Sequence, residues 1–158
     1  MTAHVAARYL VIAVFFVAAG PVVAADPPVS GKFTGGGKEA KLAYVTAFKG
    51  EPLGDKPTIK LVFTEKDHSK DSKPYIKAGF GDYGSALIIT VYPDGKIVGC
   101  EVAHTAHKMS GFSSLGSIKT SDFKMADGKI SGKIKTDGEV ETFKQKWQVD
   151  IAFETKAP

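Results

Sequence analysis

The chain reads as an all-β fold: an antiparallel meander of about eight strands that closes as a small β-barrel, with a β-sandwich as the alternative. Three observations point there. Asp-Gly pairs stand at Asp94-Gly95, Asp127-Gly128 and Asp137-Gly138, each between strand-like stretches, and Asp-Gly supplies the positive backbone angles of tight hairpin turns. Trp147, Val149, Ile151 and Phe153 alternate with Gln148, Asp150, Ala152 and Glu154, the period of two of a sheet with one face in water. No helical period of useful length runs anywhere after the first 25 residues.

The strands follow in order. Val29 to Thr34 opens the domain, and Gly35-Gly36-Gly37-Lys38 reads as a hairpin bend, since it lacks the spacing and the following helix of a phosphate loop. Leu42 to Phe48 and Ala86 to Tyr92 are apolar on both faces and predict deeply covered strands. Ile59, Leu61 and Phe63 alternate with Lys60 opposite them. Ile97 to His104, Ile118 to Met125, Ile130 to Thr136 and the Trp147 segment complete the set, with Glu139 to Gln145 polar enough to lengthen the last loop. Two long connections interrupt the meander, Glu65 to Gly84 and Thr105 to Ser117, and loops of that length are where sites are found.

The first 25 residues carry a different message. His4, Arg8, an apolar run from Leu10 to Val17, then Gly20-Pro21 and the small residues up to Ala25 are the parts of a secretory signal peptide, cleaved after Ala24 or Ala25. The run falls short of the ~20 apolar residues that cross a bilayer. Cys100 is the only cysteine, so no N-terminal cysteine offers itself to lipid. The expected product is a single domain of residues 26–158, soluble, in the periplasm or outside the cell, with no membrane span once the signal is removed.

Composition narrows the function classes. Losing Arg8 takes the formal net charge from +4 to +3 and removes the only arginine from the chain. Phosphate and guanine recognition exploit the planar guanidinium fork, so specific nucleic-acid binding is not expected. A lone cysteine forbids an internal disulfide, and the absence of asparagine removes any N-glycosylation acceptor. The fold must stand on its hydrophobic core.

The ends of the chain resemble small exported bacterial β-domain proteins of unassigned function. Gly31-Lys32-Phe33, Gly37-Lys38, Leu42-Ala43-Tyr44 and Ala47 match their opening hairpin, and Ile130-Ser131-Gly132-Lys133, Phe143 and Trp147 to Phe153 match their ending. The resemblance implies a compact β-domain behind a signal peptide. It lends no catalytic residue and does not cover the two long loops.

Candidate chemistry centres on Cys100-Glu101-Val102-Ala103-His104-Thr105-Ala106-His107. With the distant His68, His104 and His107 could assemble a zinc or copper site, or the centre of a metal-dependent enzyme; no cofactor is otherwise implied. On a continuing strand two residues three apart face opposite ways, so the two histidines converge only if the strand ends at His104 and the chain turns. His104 shares its face with Val98, Cys100 and Val102, which favours a packed rim histidine and an inert thiol. Ser110, Ser113 and Ser114 near His107 lack a nucleophile-elbow pattern, and Asp67, Asp71 and Asp82 lack a spacing that defines a carboxylate pair. The leading expectation is a non-catalytic binding or interaction module. Phe80, Tyr83, Met109 and Phe112 would form an apolar rim for a small apolar ligand or a protein partner, and a structural envelope component is the remaining alternative.

Overall fold

The computed structural model describes residues 27–109 and 111–158. Residues 1–26, which include the segment read above as a signal peptide, and Ser110 lie outside them. Eleven strands and one short helix are found among the described residues: β1 (Val29–Gly35), β2 (Lys38–Ala40), β3 (Tyr44–Leu53), β4 (Lys56–Thr64), α1 (Pro74–Gly79), β5 (Ala86–Val91), β6 (Ile97–Ala103), β7 (Phe112–Ser113), β8 (Ile118–Ala126), β9 (Lys129–Thr136), β10 (Val140–Thr142) and β11 (Gln145–Lys156).

They form two antiparallel sheets. The first runs β2-β1-β11-β9-β8, with β10 also on β11; the second is the unbroken meander β3-β4-β5-β6-β7. No strand pairing joins the two sheets into a ring among the described residues. The three strands beyond the expected eight, β2, β7 and β10, have two or three residues each and sit at sheet margins, too short to leave a period in the sequence.

Inward side chains of both sheets make one core. Trp147, Phe33, Phe63, Leu61, Leu87, Ile89, Ile130, Ile134 and Val149 are sealed from solvent in it. Phe63 of the second sheet meets Phe153 of the first edge to face, with ring centroids 5.3 Å apart. Two hydroxyls fasten the sheets at their margins: Thr155 Oγ1 donates to the Val45 carbonyl at 3.2 Å, and Thr120 Oγ1 to the Gly95 carbonyl at 2.6 Å.

The outer face of β5 is covered as well, by α1. Ala78 of the helix packs on Val62, Ala86, Ile88 and Ala103, with Tyr75, Tyr83 and Phe48 against them. This explains the two-sided apolar pattern of Ala86 to Val91. The helix escapes sequence reading because six residues are less than two turns; Pro74 at its first position, with φ fixed near the helical value, starts it.

The turns depart from expectation at one place. Gly36-Gly37 and Asp127-Gly128 both adopt positive φ and close two-residue hairpins, as their composition predicts. Asp137-Gly138 closes none, for β9 and β10 lie end to end along the same edge of β11 and do not pair with each other. The hairpin turn is Phe143-Lys144, at φ 50° and 61°, between Thr142 and Gln145. A side chain in this left-handed region costs roughly 1–2 kcal/mol, because Cβ crowds the next carbonyl. Lys144→Gly should therefore raise stability by about 1 kcal/mol in urea melts, with an unchanged m-value. A lower midpoint would mean that the Lys144 side chain, and not its backbone, decides the turn.

Candidate functional site

Strand β6 alternates Cys100 and Val102 inward with Gly99, Glu101 and Ala103 outward, then stops at Ala103. The chain turns at once: His107 N–H donates to the His104 carbonyl at 2.9 Å, and Ala106 N–H donates to His104 Nδ1 at 3.1 Å. This turn brings the two imidazoles together, with ring centroids 5.3 Å apart. Phe33 meets His104 edge-on at 5.2 Å, and Phe112 lies 5.5 Å from His107.

The pair is seated on a glycine of the other sheet. A Cβ at Gly35 would collide with the His104 ring and stand 2.7 Å from His107 Nε2. Past it, His107 Nε2–H donates to the Lys146 carbonyl at 3.0 Å. Lys108 N–H reaches Gln145 Oε1 at 3.3 Å. The second long loop is thus latched across the gap between β6 and β11.

These bonds fix the tautomers. His104 Nδ1 accepts a backbone N–H, so its proton sits on Nε2; His107 Nε2 donates, so its free lone pair is on Nδ1. Both His104 Nε2 and His107 Nδ1 are buried without a well-aligned partner. One free lone pair is no chelate. His68 is elsewhere: Thr64 Oγ1 spends its proton on the Lys66 carbonyl, so His68 Nδ1–H donates to Thr64 Oγ1 at 2.6 Å, and Nε2 accepts from Thr46 Oγ1 at 3.0 Å. The structure therefore joins His104 with His107, leaves His68 apart with both nitrogens engaged, and among the described residues gathers no group of three metal-binding side chains. The donor chemistry does not fit a zinc or copper centre in this arrangement.

The four rim residues are divided. Phe80 and Met109 line one open cavity of about 340 Å³ with His104, His107, Thr105 and Gly79. Gly111 N–H donates to the Gly79 carbonyl at 2.9 Å and ties the two long loops together beside it. Phe112 is no rim residue; it is buried in the core at 5 % exposure. Tyr83 belongs to a second, polar cavity of about 560 Å³ with His68, Asp67, Asp71 and Lys77.

That polar cavity is a loop scaffold. Asp71 accepts from Lys77 Nζ at 2.8 Å, Lys73 N–H at 3.0 Å and Tyr83 Oη at 2.9 Å. Lys77 above all holds its carboxyl well below the usual carboxylate range. Asp67 is lowered too, by its bond from Ser69 N–H. A general acid needs a raised pKa, so neither carboxyl suits that role. Cys100 is buried and its thiol is pushed up to about 12 by desolvation, an unreactive thiol. Ser114 Oγ is occupied by Thr142 Oγ1 at 2.7 Å.

Two exposed residues extend the apolar end beyond the sequence expectation. Phe143, at the strained turn, meets Phe112 edge to face at 6.2 Å, and Leu115 follows Ser114, whose hydroxyl bonds Thr142 beside Phe143. Neither sits in an alternating pattern that would have marked it.

Comparison with known protein families, curated proteins and solved structures finds no match to this chain.

Burial lowers the pKa of His104, with the neighbouring His107 adding to the effect and Glu65 and the Lys38 carbonyl opposing it; burial likewise lowers His68, against Asp67 and Asp71. The unfolded chain thus takes up protons near the ordinary value of 6.5, before the folded one does. The stability held by the neutral rings is complete above 6.5 and is lost as the pH falls through the lower folded-state values. Imidazole resonances followed by NMR should show both histidines titrating with midpoints below 6.5. A His104 midpoint at or above that value would contradict the burial argument.

Proposed function

We propose that this chain is an exported, soluble, non-catalytic binding module whose site is the loop end that carries Phe80 and Met109, and that its ligand is a small apolar molecule. The observation that carries the reading is the exposure of these two side chains, 73 % and 42 %, on the rim of the cavity between the loops. Single exposed apolar side chains are ordinary, but two that converge on one cavity rim make the kind of apolar patch that marks a binding site. Ring contacts run from His107, beside this cavity, through the buried Phe112 to the exposed Phe143.

A filled interior supports a surface site over an enclosed one. Trp147, Phe33 and Phe63 occupy the space a carrier barrel would leave open, and two sheets with a common core and no shared pairing favour a sandwich over a barrel. Export is supported by the apolar run Leu10 to Val17 with small residues before Asp26, and by the likeness of both ends to small exported bacterial β-domain proteins. Among the described residues no helix is long and apolar enough to cross a membrane.

Titration with the apolar reporter anilinonaphthalene sulfonate tests the site. Saturable fluorescence enhancement should weaken at least tenfold when Phe80 and Met109 are both replaced by Ser, about 1.4 kcal/mol or more of binding. Equal binding by the double variant would move the site elsewhere. Export has its own check: protein recovered outside the cytoplasm should begin at Ala25 or Asp26, and an intact Met1 there would refute cleavage.

A further inference from the structure

We infer that the outer face of the second sheet carries a separate binding site for a primary ammonium group on a short aliphatic chain, anchored by Glu101. It does not rest on the loop-end reading. The glutamate stands outward on β6, between Ile88 of β5 and Ser113 of β7, half-buried.

Two glycines admit it. A Cβ at Gly79 would collide with Glu101 Oε1, and one at Gly111 would come within 2.8 Å of the same oxygen. These residues close the loops over the carboxyl through the Gly111 N–H bond to the Gly79 carbonyl. Among the described residues the Glu101 carboxylate makes no hydrogen bond and no salt bridge, while its backbone stays in the β5–β6–β7 ladder. Lys60, the cation that acts on it, holds its Nζ 4.1 Å from the centre of the Tyr75 ring. Burial accordingly raises the Glu101 pKa, with Lys60 opposing it. A charge taken partly out of water without a partner is costly, and a ligand cation would relieve that cost.

The surroundings specify the cation. Glu101 opens on a groove of about 260 Å³ lined also by the hydroxyl residues Thr90 and Ser113, the apolar Ile88 and Lys60, whose ammonium is held over the Tyr75 ring. An ammonium has three protons to place, and one carboxylate oxygen with two hydroxyls can accept them. Ile88 offers apolar contact to the methylenes. Guanidinium wants both carboxylate oxygens in a fork, and Oε1 is wedged between the two glycines. The matching ligand is an alkylamine or a lysine side chain.

Titrating the isotope-labelled protein with n-butylammonium, and in parallel with n-butanol and n-butylguanidinium, tests this. Saturable amide shifts at Gly79, Gly111 and Ser113 are expected with the ammonium only, together with a fall in the Glu101 carboxyl pKa. Glu101→Gln should weaken binding at least tenfold, and Ser113→Ala severalfold with the fold intact. Should Glu101→Gln fail to fold, loss of butylammonium binding as Glu101 protonates in the unaltered protein reads the same dependence. An unchanged Glu101 titration, no saturation, or equal affinity for butanol would overturn the proposal. Stronger binding of n-butylguanidinium would overturn the choice of ammonium. Free amine and lysine side chain separate in a last arm: cadaverine against an unstructured peptide bearing one lysine, the tighter binder naming the source.

Discussion

Everything in this molecule depends on burying the inner face of one sheet against the inner face of the other. One cysteine cannot cross-link the chain, so nothing covalent limits the unfolded state, and hydrophobic burial must offset the whole conformational entropy of folding. The core answers with large, fully sealed side chains: Trp147 and Phe33 from the first sheet, Leu61, Phe63 and Ile89 from the second. Each is a position where truncation to alanine would cost several kcal/mol, on the order of 2–5.

That constraint also shapes the loop end. Where β6 runs out, the core needs a lid, and His104 supplies part of it by packing on Phe33 and Gly35. The turn that returns the chain brings His107 alongside and latches the second loop to β11. Two imidazoles side by side look like a ligand pair, yet the backbone hydrogen bonds that build the turn also decide the tautomers, and they leave one lone pair only. The histidines are part of the wall. What the loops expose, Phe80 and Met109, is what the wall holds in position.

Much of the architecture was legible in residue order. Alternation at Trp147 to Phe153 and the two-sided apolar run at Ala86 to Tyr92 identified a half-exposed and a doubly covered strand, and the second, β5, proved to be covered by α1. Asp127-Gly128 marked its hairpin. Asp137-Gly138 did not, because turn composition says that the chain bends and not which strands pair; β9 and β10 share the edge of β11 instead. Phe143-Lys144 was invisible as a turn because its conformation is imposed by the β10–β11 pairing against local preference. At the site, the convergence of His104 and His107 was foreseeable only as a condition on where β6 ends. Phe112 was misplaced on the rim because a loop assignment hides a two-residue strand whose side chain points into the core. Glu101 had no signal of its own: its environment is set by Gly79 and Gly111, 22 and 10 residues away in sequence.

The central claim is that a self-sufficient two-sheet core carries an apolar loop end it does not need for stability. Amide hydrogen exchange on the protein with Phe80 and Met109 both changed to Ser tests this most directly. The account predicts that Leu61, Ile89 and Val149 exchange as slowly as in the unaltered protein, while anilinonaphthalene sulfonate no longer binds. Loss of protection at those core amides would show that the exposed side chains belong to the fold, and would contradict a surface kept for binding.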